Sequence, residues 1–296
     1  MPPATVSSER PRRTDDTPGA GTRADGRDTR PVSELLTDPV LRDRTVATLR
    51  AAGCVFAEDE AALLLGEAES AGALATMVAR RVAGDPLEQI VGWAEFRGLR
   101  VVVEPGVFVP RQRTGFLAGL AVAATRAGGI VVDMCCGAGA VGMAVMAQSR
   151  AAEVHAADVD PAAVACAQRN LPCVHLGDLY AALPADLRGR VDVVVANAPY
   201  VPTDAVATMP PEARLHEPMV ALDGGADGLD VARRVVAGAP EWLVPGGVLL
   251  VETSTKQAPA LREWFVHNGF VATVEADDEI GGTAVRGTFT PGGRPG

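Results

Sequence analysis

The chain has 296 residues, with Lys+Arg 27 against Asp+Glu 37 and a formal net charge of −10, a balance that repels phosphate and argues against holding duplex nucleic acid by counterion release. A hydrophobic content of 48% over this length suffices for a full α/β domain plus a smaller one. No apolar run approaches the roughly 20 residues that cross a bilayer and no apolar segment behind a basic start marks a signal peptide; Cys54, Cys135, Cys136, Cys166 and Cys173 form an odd set without metal-ligand spacing, so a reduced cytoplasmic protein is expected.

Residues 1–30 are dominated by Pro, Arg, Thr, Asp and Gly and carry almost no large apolar side chain, which predicts a disordered tail. Its arginines are interleaved with Asp15, Asp16, Asp25 and Asp28, the pattern of a solvated leader. Residues 31–84 read as a small helical domain: Val40, Leu41, Val46 and Leu49 recur at helical spacing, followed by Leu63, Leu64 and Leu65, then Leu74, Met77, Val78 and Val82. From 85 to 110 the texture changes to β-type residues, Phe96 to Leu99 and Val101 to Val103, punctuated by Gly98 and by Glu104-Pro105-Gly106, which predicts a hairpin linking two domains.

Residues 111–291 alternate strand and helix patterns. Ile130 to Val132 precede a helix over Ala140 to Gln148, and Val154 to Ala156 precede one over Pro161 to Arg169. Val191 to Val195, Val248 to Val251 and two closing strands follow, with helices near Leu229 to Trp242 and Gln257 to Asn268. Such alternation means parallel strands joined by crossover helices in a doubly wound sheet. Residues 292–296 read as a short tail.

Three segments carry chemistry. The first strand ends in Asp133-Met134-Cys135-Cys136-Gly137-Ala138-Gly139 directly before a helix, where glycines let backbone approach a ligand and the helix N-terminus offers unpaired N–H groups; a tight turn without a ligand reads the same way. The next strand ends in Asp158, placed to accept both hydroxyls of a ribose, or else to cap the following helix, for which Asp160 is better placed. Gly137, Gly139 and Gly142 do not fit the dinucleotide fingerprint, so an adenosine-type ligand held by a different loop is the reading. The strand Val191 to Val195 runs into Asn197-Ala198-Pro199-Tyr200, at the sheet edge where open α/β folds bind ligands, although such a loop is also an ordinary turn.

This combination resembles the class I methyltransferases, and specifically the protein-(glutamine-N(5)) methyltransferases of the HemK/PrmC family. The likeness runs from about Asp85 to Phe270. Pro86 to Gly92, Glu95-Phe96, Gly98-Leu99 and Pro105 to Arg111 are similar to the family's interdomain hairpin, and Asn197 to Tyr200 to its Asn-Pro-Pro-Tyr signature. Pro211 to Arg214, Glu217-Pro218, Gly224-Gly225, Asp227-Gly228-Leu229 and Gln257 continue the pattern. The resemblance implies a mostly parallel seven-stranded sheet with an N-terminal helical substrate-docking domain, and S-adenosyl-L-methionine as cofactor. That cofactor would be held by Asp133, Cys135, Cys136, Gly137, Ala138, Gly139, Asp158, Asp178, Leu179 and Asn197.

It also implies methylation of a glutamine side-chain amide in a protein acceptor, a peptide chain release factor with its Gly-Gly-Gln loop. Asn197 Oδ1 and the Ala198 carbonyl would accept the two N–H bonds of the acceptor amide, and Tyr200 would stack on it. Arg111 stands either beside the cofactor or acceptor or in an interdomain salt bridge. No stable nucleic-acid partner and no membrane are expected, and a monomer is favoured. His155, His175, His216 and His267 look isolated, and Cys135-Cys136 a reduced pair.

Four positions depart from the family pattern. Ala198 replaces the first proline of the signature, Arg113 stands where the family has an acid, Cys135-Cys136 replace small residues, and Ser254 falls near a usual glycine. They place the chain on a divergent branch. Two readings of other classes share the motifs: an amino methyltransferase acting on a nucleic-acid base, which needs a basic recognition surface, and a non-catalytic cofactor-binding interaction protein, which needs little of the Asn197 loop.

Overall fold

The computed structural model describes residues 38–151, 153–209, 214 and 216–292. The tail read over residues 1–30 and the segments 31–37 and 293–296 lie outside the described residues. The chain divides into two compact units, Met1–Val82 and Ala83–Gly296.

The described part of the smaller unit is three helices, α1 (Pro39–Ala51), α2 (Ala57–Glu67) and α3 (Ala71–Val82). Asp38 starts α1 by accepting the N–H groups of Val40 and Leu41, with Pro39 at the first position, where its missing N–H costs nothing. Leu49, Leu64, Leu65 and Leu74 are buried, and Glu60 is tied to Arg81 by Nε to Oε2 at 2.6 Å. Glu60 is nearly fully buried, so this pairing is what makes a carboxylate tolerable there.

The larger unit opens with a short helix α4 (Leu87–Val91), stopped by Gly92, and a two-stranded hairpin of β1 (Trp93–Phe96) and β2 (Leu99–Val102). Its turn residues Arg97 and Gly98 both have positive φ, as a two-residue hairpin loop requires. The hairpin is no free tether: Phe96, Val101, Val107 and Val109 pack with Leu117, Val145 and Val195 in one core cluster. Next comes α5 (Thr114–Ala124), then β3 (Ile130–Met134), α6 (Ala140–Gln148), β4 (Glu153–Asp158), α7 (Pro161–Ala167), β5 (Val174–Leu176) and β6 (Val191–Ala196). The unit closes with α8 (Asp230–Gly238), β7 (Leu243–Glu252), α9 (Ala258–His267), β8 (Phe270–Asp277) and β9 (Gly282–Phe289).

The seven strands lie in the order β5-β4-β3-β6-β7-β9-β8. The pairs from β5 to β7 are parallel, and β9 runs antiparallel between β7 and β8. β3 and β6 are buried along their whole length, as strands covered on both faces by helices must be. α5 and β5 carry no clear period in the sequence, because α5 is apolar on nearly every face and β5 has only three residues. The first residue of α5, Thr114, nevertheless lines the site. No helix among the described residues is long and apolar enough to cross a membrane.

Candidate active site

The site is assembled where β3, β4 and β6 end side by side, on the carboxyl edge of the sheet at its point of reversal. A cavity of about 410 Å³ opens there, lined along one wall by the loop after β3 and along another by Asn197, Ala198, Pro199 and Tyr200.

Asp133 closes β3. It is buried, and its Oδ2 accepts the Gly142 N–H at 2.8 Å, tying the strand end to the first turn of α6. Burial pushes its carboxyl up to about 8 against the pull of that hydrogen bond, and the charge of Asp158 adds to the rise. Cys135 and Gly137 take positive φ of 58° and 54°, which turns the chain sharply around the cavity. A Cβ on Gly137 would meet nothing within 4 Å, so at Gly137 the loop presents open space rather than packing. Cys135 and Cys136 are free thiols, and burial raises both well above an ordinary cysteine. They are small lining groups, unsuited to act as nucleophiles at neutral pH. Ala138 also lines the cavity, whereas Gly139 does not; it stands behind the loop as the left-handed cap of α6.

Asp158 ends β4 with Oδ2 accepting the Gly137 N–H and Oδ1 accepting the Asp160 N–H, both at 2.9 Å. Asp160, and not Asp158, caps α7. Burial raises the Asp158 pKa, opposed by these two backbone donors. Each carboxylate oxygen has a second lone pair, so both can still accept a vicinal diol. Past β5, Leu179 at φ 49° and Asp178 complete this wall; the Asp178 carboxylate is held by Arg234 at 2.6 Å. A carboxylate pair 20 residues apart, an apolar floor and a loop without a Cβ at its closest point fit a bound adenosine moiety.

The other wall is built from side chains far apart in sequence. Asn197 Nδ2 donates to Thr114 Oγ1 at 3.3 Å. Arg113 Nη2 donates to the Tyr200 hydroxyl at 2.8 Å, and that hydroxyl lies 3.5 Å from Glu252 Oε1. Glu252 ends β7 almost fully buried; burial raises its pKa, while the Thr114 hydroxyl, Arg113 and Tyr200 pull it back down. Among the described residues no hydrogen bond is made to Asn197 Oδ1 or to the Ala198 carbonyl. Both residues line the cavity.

The loop itself is braced from behind. Gln257 Nε2 donates to the carbonyls of Tyr200 and Asp227, each at 2.9 Å, and Val201 exchanges backbone bonds with Leu222 and Gly224. A Cβ on Gly224 would come within 2.6 Å of the Pro199 carbonyl, which is why only glycine serves there. The motif residues Gly224, Asp227 and Gln257 are therefore the support of the Asn197 loop.

Arg111 was open between two readings, and it lines the cavity, with its salt bridge to Glu217 of the same unit at 2.5 Å; one expectation needs correction. The histidines are not all isolated: His155 Nδ1 lies 3.0 Å from His175 Nε2, because parallel β4 and β5 bring the two onto one face, and His216 lies 3.7 Å from Asp85. Thr114 and Glu252 were not expected at all. The available signal for Glu252 was an acid closing the apolar strand Val248 to Val251 at the ligand-binding edge of the sheet.

Known proteins carry the same pattern. The family model described as "Methyltransferase small domain" matches residues 98–276. The release factor glutamine methyltransferase of Geobacter sulfurreducens is 37% identical over 219 residues, covering 72% of this chain and 76% of that protein. The one from Mycolicibacterium smegmatis is 34% identical over 262 residues, covering 81% of this chain and 92% of its own. Among solved structures, a methyltransferase from Pyrococcus furiosus shares the fold, with a TM-score of 0.50 and 16% identity over 73% of this chain and 99% of that one. With its sheet order, its cavity and these relatives, the chain belongs to the release factor glutamine methyltransferase family, and its methyl donor is S-adenosyl-L-methionine.

Proposed function

We propose that this enzyme methylates the glutamine amide in the Gly-Gly-Gln loop of a peptide chain release factor, with Asn197, Ala198, Pro199 and Tyr200 as its catalytic loop. The observation that carries this reading is that Asn197 and Ala198 line the cavity while Asn197 Oδ1 and the Ala198 carbonyl accept no hydrogen bond among the described residues. A primary amide presents two N–H donors in one plane, and this pair matches them.

Bound S-adenosyl-L-methionine supplies a methyl group activated on a sulfonium. The residues of the chain do the rest. Asp158 would hold the ribose hydroxyls, Asp178 and Leu179 would border the adenine, and the Cys135 to Gly137 turn would hold the rest of the cofactor. On the other wall, Asn197 Oδ1 and the Ala198 carbonyl orient the acceptor nitrogen and stabilise the positive charge that grows on it as its lone pair is used. The Ala198 carbonyl is present whatever the side chain, so losing proline there removes a preset φ and not the acceptor. The Tyr200 ring, its hydroxyl held by Arg113 and Glu252, gives the planar amide a face to stack on. No base of unusual pKa is needed, since the methylated amide sheds its proton readily.

Arg111, held by Glu217, borders the acceptor entrance, and the helical segment over 31–84 docks the protein substrate, with the hairpin over 85–110 between it and the catalytic domain over 111–291. The enzyme acts as a monomer in the cytoplasm, where its substrate is used and its thiols stay reduced. Incubation with a bacterial release factor and methyl-labelled donor, followed by mass spectrometry of the Gly-Gly-Gln peptide, tests the reading. The expected result is one added methyl on the glutamine; label found only on nucleic acid, or on no acceptor, overturns it.

A further inference from the structure

A tyrosine ring turns about its Cβ–Cγ bond in a broad, roughly two-fold well, so the side chain by itself sets no sharp plane for stacking. The hydroxyl can set one, because conjugation keeps the phenol O–H in the plane of the ring. The Tyr200 hydroxyl has two partners, both distant in sequence. Arg113, directly before α5, donates from Nη2 to the phenol oxygen at 2.8 Å, and a guanidinium has no atom that accepts. The phenol oxygen is therefore the acceptor in that bond, and its own proton is left for Glu252 Oε1, 3.5 Å away at the end of β7. Glu252 is nearly fully buried. Among the described residues its Oε2 has no hydrogen-bond partner, and Arg113, with Nε at 3.8 Å, is the one cation in contact with it. A buried carboxylate stays ionised only beside such a charge, and while ionised it can only accept. The guanidinium thus holds the phenol oxygen and keeps charged the group that takes the phenol proton.

We propose that Arg113 and Glu252 are positioning residues that together set the plane of the Tyr200 ring against the acceptor amide, the arginine being what makes a buried carboxylate usable there. Neither residue touches a reacting atom. The proposal rests on the stacking role given to Tyr200 above. All three groups belong to the acceptor wall, so a ring released from them loses its hold on the acceptor and leaves the donor where it was. The signature is therefore in kcat/KM for the protein acceptor and not in the KM for the donor.

Tyr200→Phe keeps the stacking face and removes the hydroxyl. On the full chain, with labelled donor and a release factor as acceptor, it is expected to lower acceptor kcat/KM by about 5-fold with donor KM within about 2-fold. The deciding measurement is a double-mutant cycle with Arg113→Ala. If Arg113 acts through the hydroxyl, its few-fold cost shrinks to less than about 1.5-fold once residue 200 is phenylalanine. A second cycle tests the charge. Arg113→Glu sets a like charge beside the buried carboxylate and should cost about 10-fold or more, and adding Glu252→Gln, which keeps an accepting oxygen without the charge, should recover most of that loss. An equal cost of Arg113→Ala in both backgrounds overturns the proposal, as does a charge-reversed variant that Glu252→Gln does not improve, or a loss that appears in donor KM instead. Should Arg113→Glu fail to fold, the cycle with Arg113→Ala decides alone. The two readings fail differently: full activity in Tyr200→Ala removes the stacking role and this proposal with it, whereas a damaged Tyr200→Ala beside an unimpaired Tyr200→Phe removes this proposal alone.

Discussion

The two walls of the cavity are built on different principles. The donor wall is made from short stretches of chain: backbone N–H groups of Gly137, Gly142 and Asp160 answer the carboxylates of Asp133 and Asp158, so most of its geometry is fixed by backbone. The acceptor wall joins Arg113 and Thr114 to Asn197 and Tyr200, over 80 residues away, and to Glu252 at the end of β7. These contacts join residues 87, 83 and 52 positions apart in the chain. A wall of backbone tolerates exchange of its side chains, which is how Cys135 and Cys136 can replace smaller residues. A wall of side chains does not, so Ala198 and Arg113 are the departures that bear on chemistry.

The largest break in this contrast is expected at Asn197. Asn197→Ala should lower turnover at saturating donor by roughly 10²-fold or more, the scale for one preorganised transition-state group, with release-factor methylation as the assay. Asn197→Asp keeps an oxygen and should retain part of the activity. If both variants turn over like the parent, the Asn197 loop is only a turn.

Asp158→Ala sharpens the other side. Losing charge-assisted bonds to a ribose, it should weaken donor binding by roughly 10- to 100-fold in calorimetry while leaving kcat at saturating donor nearly intact. Unchanged affinity would remove the ribose assignment. A smaller effect is expected at Arg113, which is about half exposed (48%) and shares the Tyr200 hydroxyl with Glu252. Arg113→Ala should cost a few-fold in kcat/KM for the protein acceptor and nothing in donor affinity, on the order of one partly screened hydrogen bond; a change in donor affinity instead would join the two walls. Smallest of all is Cys135→Gly. Glycine adopts the φ of 58° without strain but adds freedom to the unfolded chain, so the two effects oppose each other and stability should stay within about 1 kcal/mol. A thermal melt shifted by many degrees would show that the thiol is part of the structure of the donor wall.

The donor wall was legible in the sequence for a physical reason: its residues lie in single strand-to-helix junctions, where the last residue of a buried strand and the first turn of a helix must meet. Asp133 and Asp158, and across the cavity the Asn197 loop, could be located from apolar runs that end in polar residues at the same edge of a parallel sheet. What could not be read is which distant groups complete them. α5 gave no amphipathic period because it is covered nearly all round, so Thr114 at its start carried no mark. The His155–His175 contact is another case, since only the β4–β5 register brings residues 20 apart to 3.0 Å.

By itself, then, the sequence determined the alternation of strands and helices, the parallel sheet and the three chemical junctions on its carboxyl edge, because hydrophobic period and turn chemistry act over a few residues. The tertiary structure decided which group backs which. Glu252 meets Tyr200, Thr114 meets Asn197 and Gln257 braces the loop only because β6 and β7 are paired in register from Val193 to Ala196 and α5 starts beside them. Local propensity carries no information about hydrogen-bond partners brought together by strand pairing.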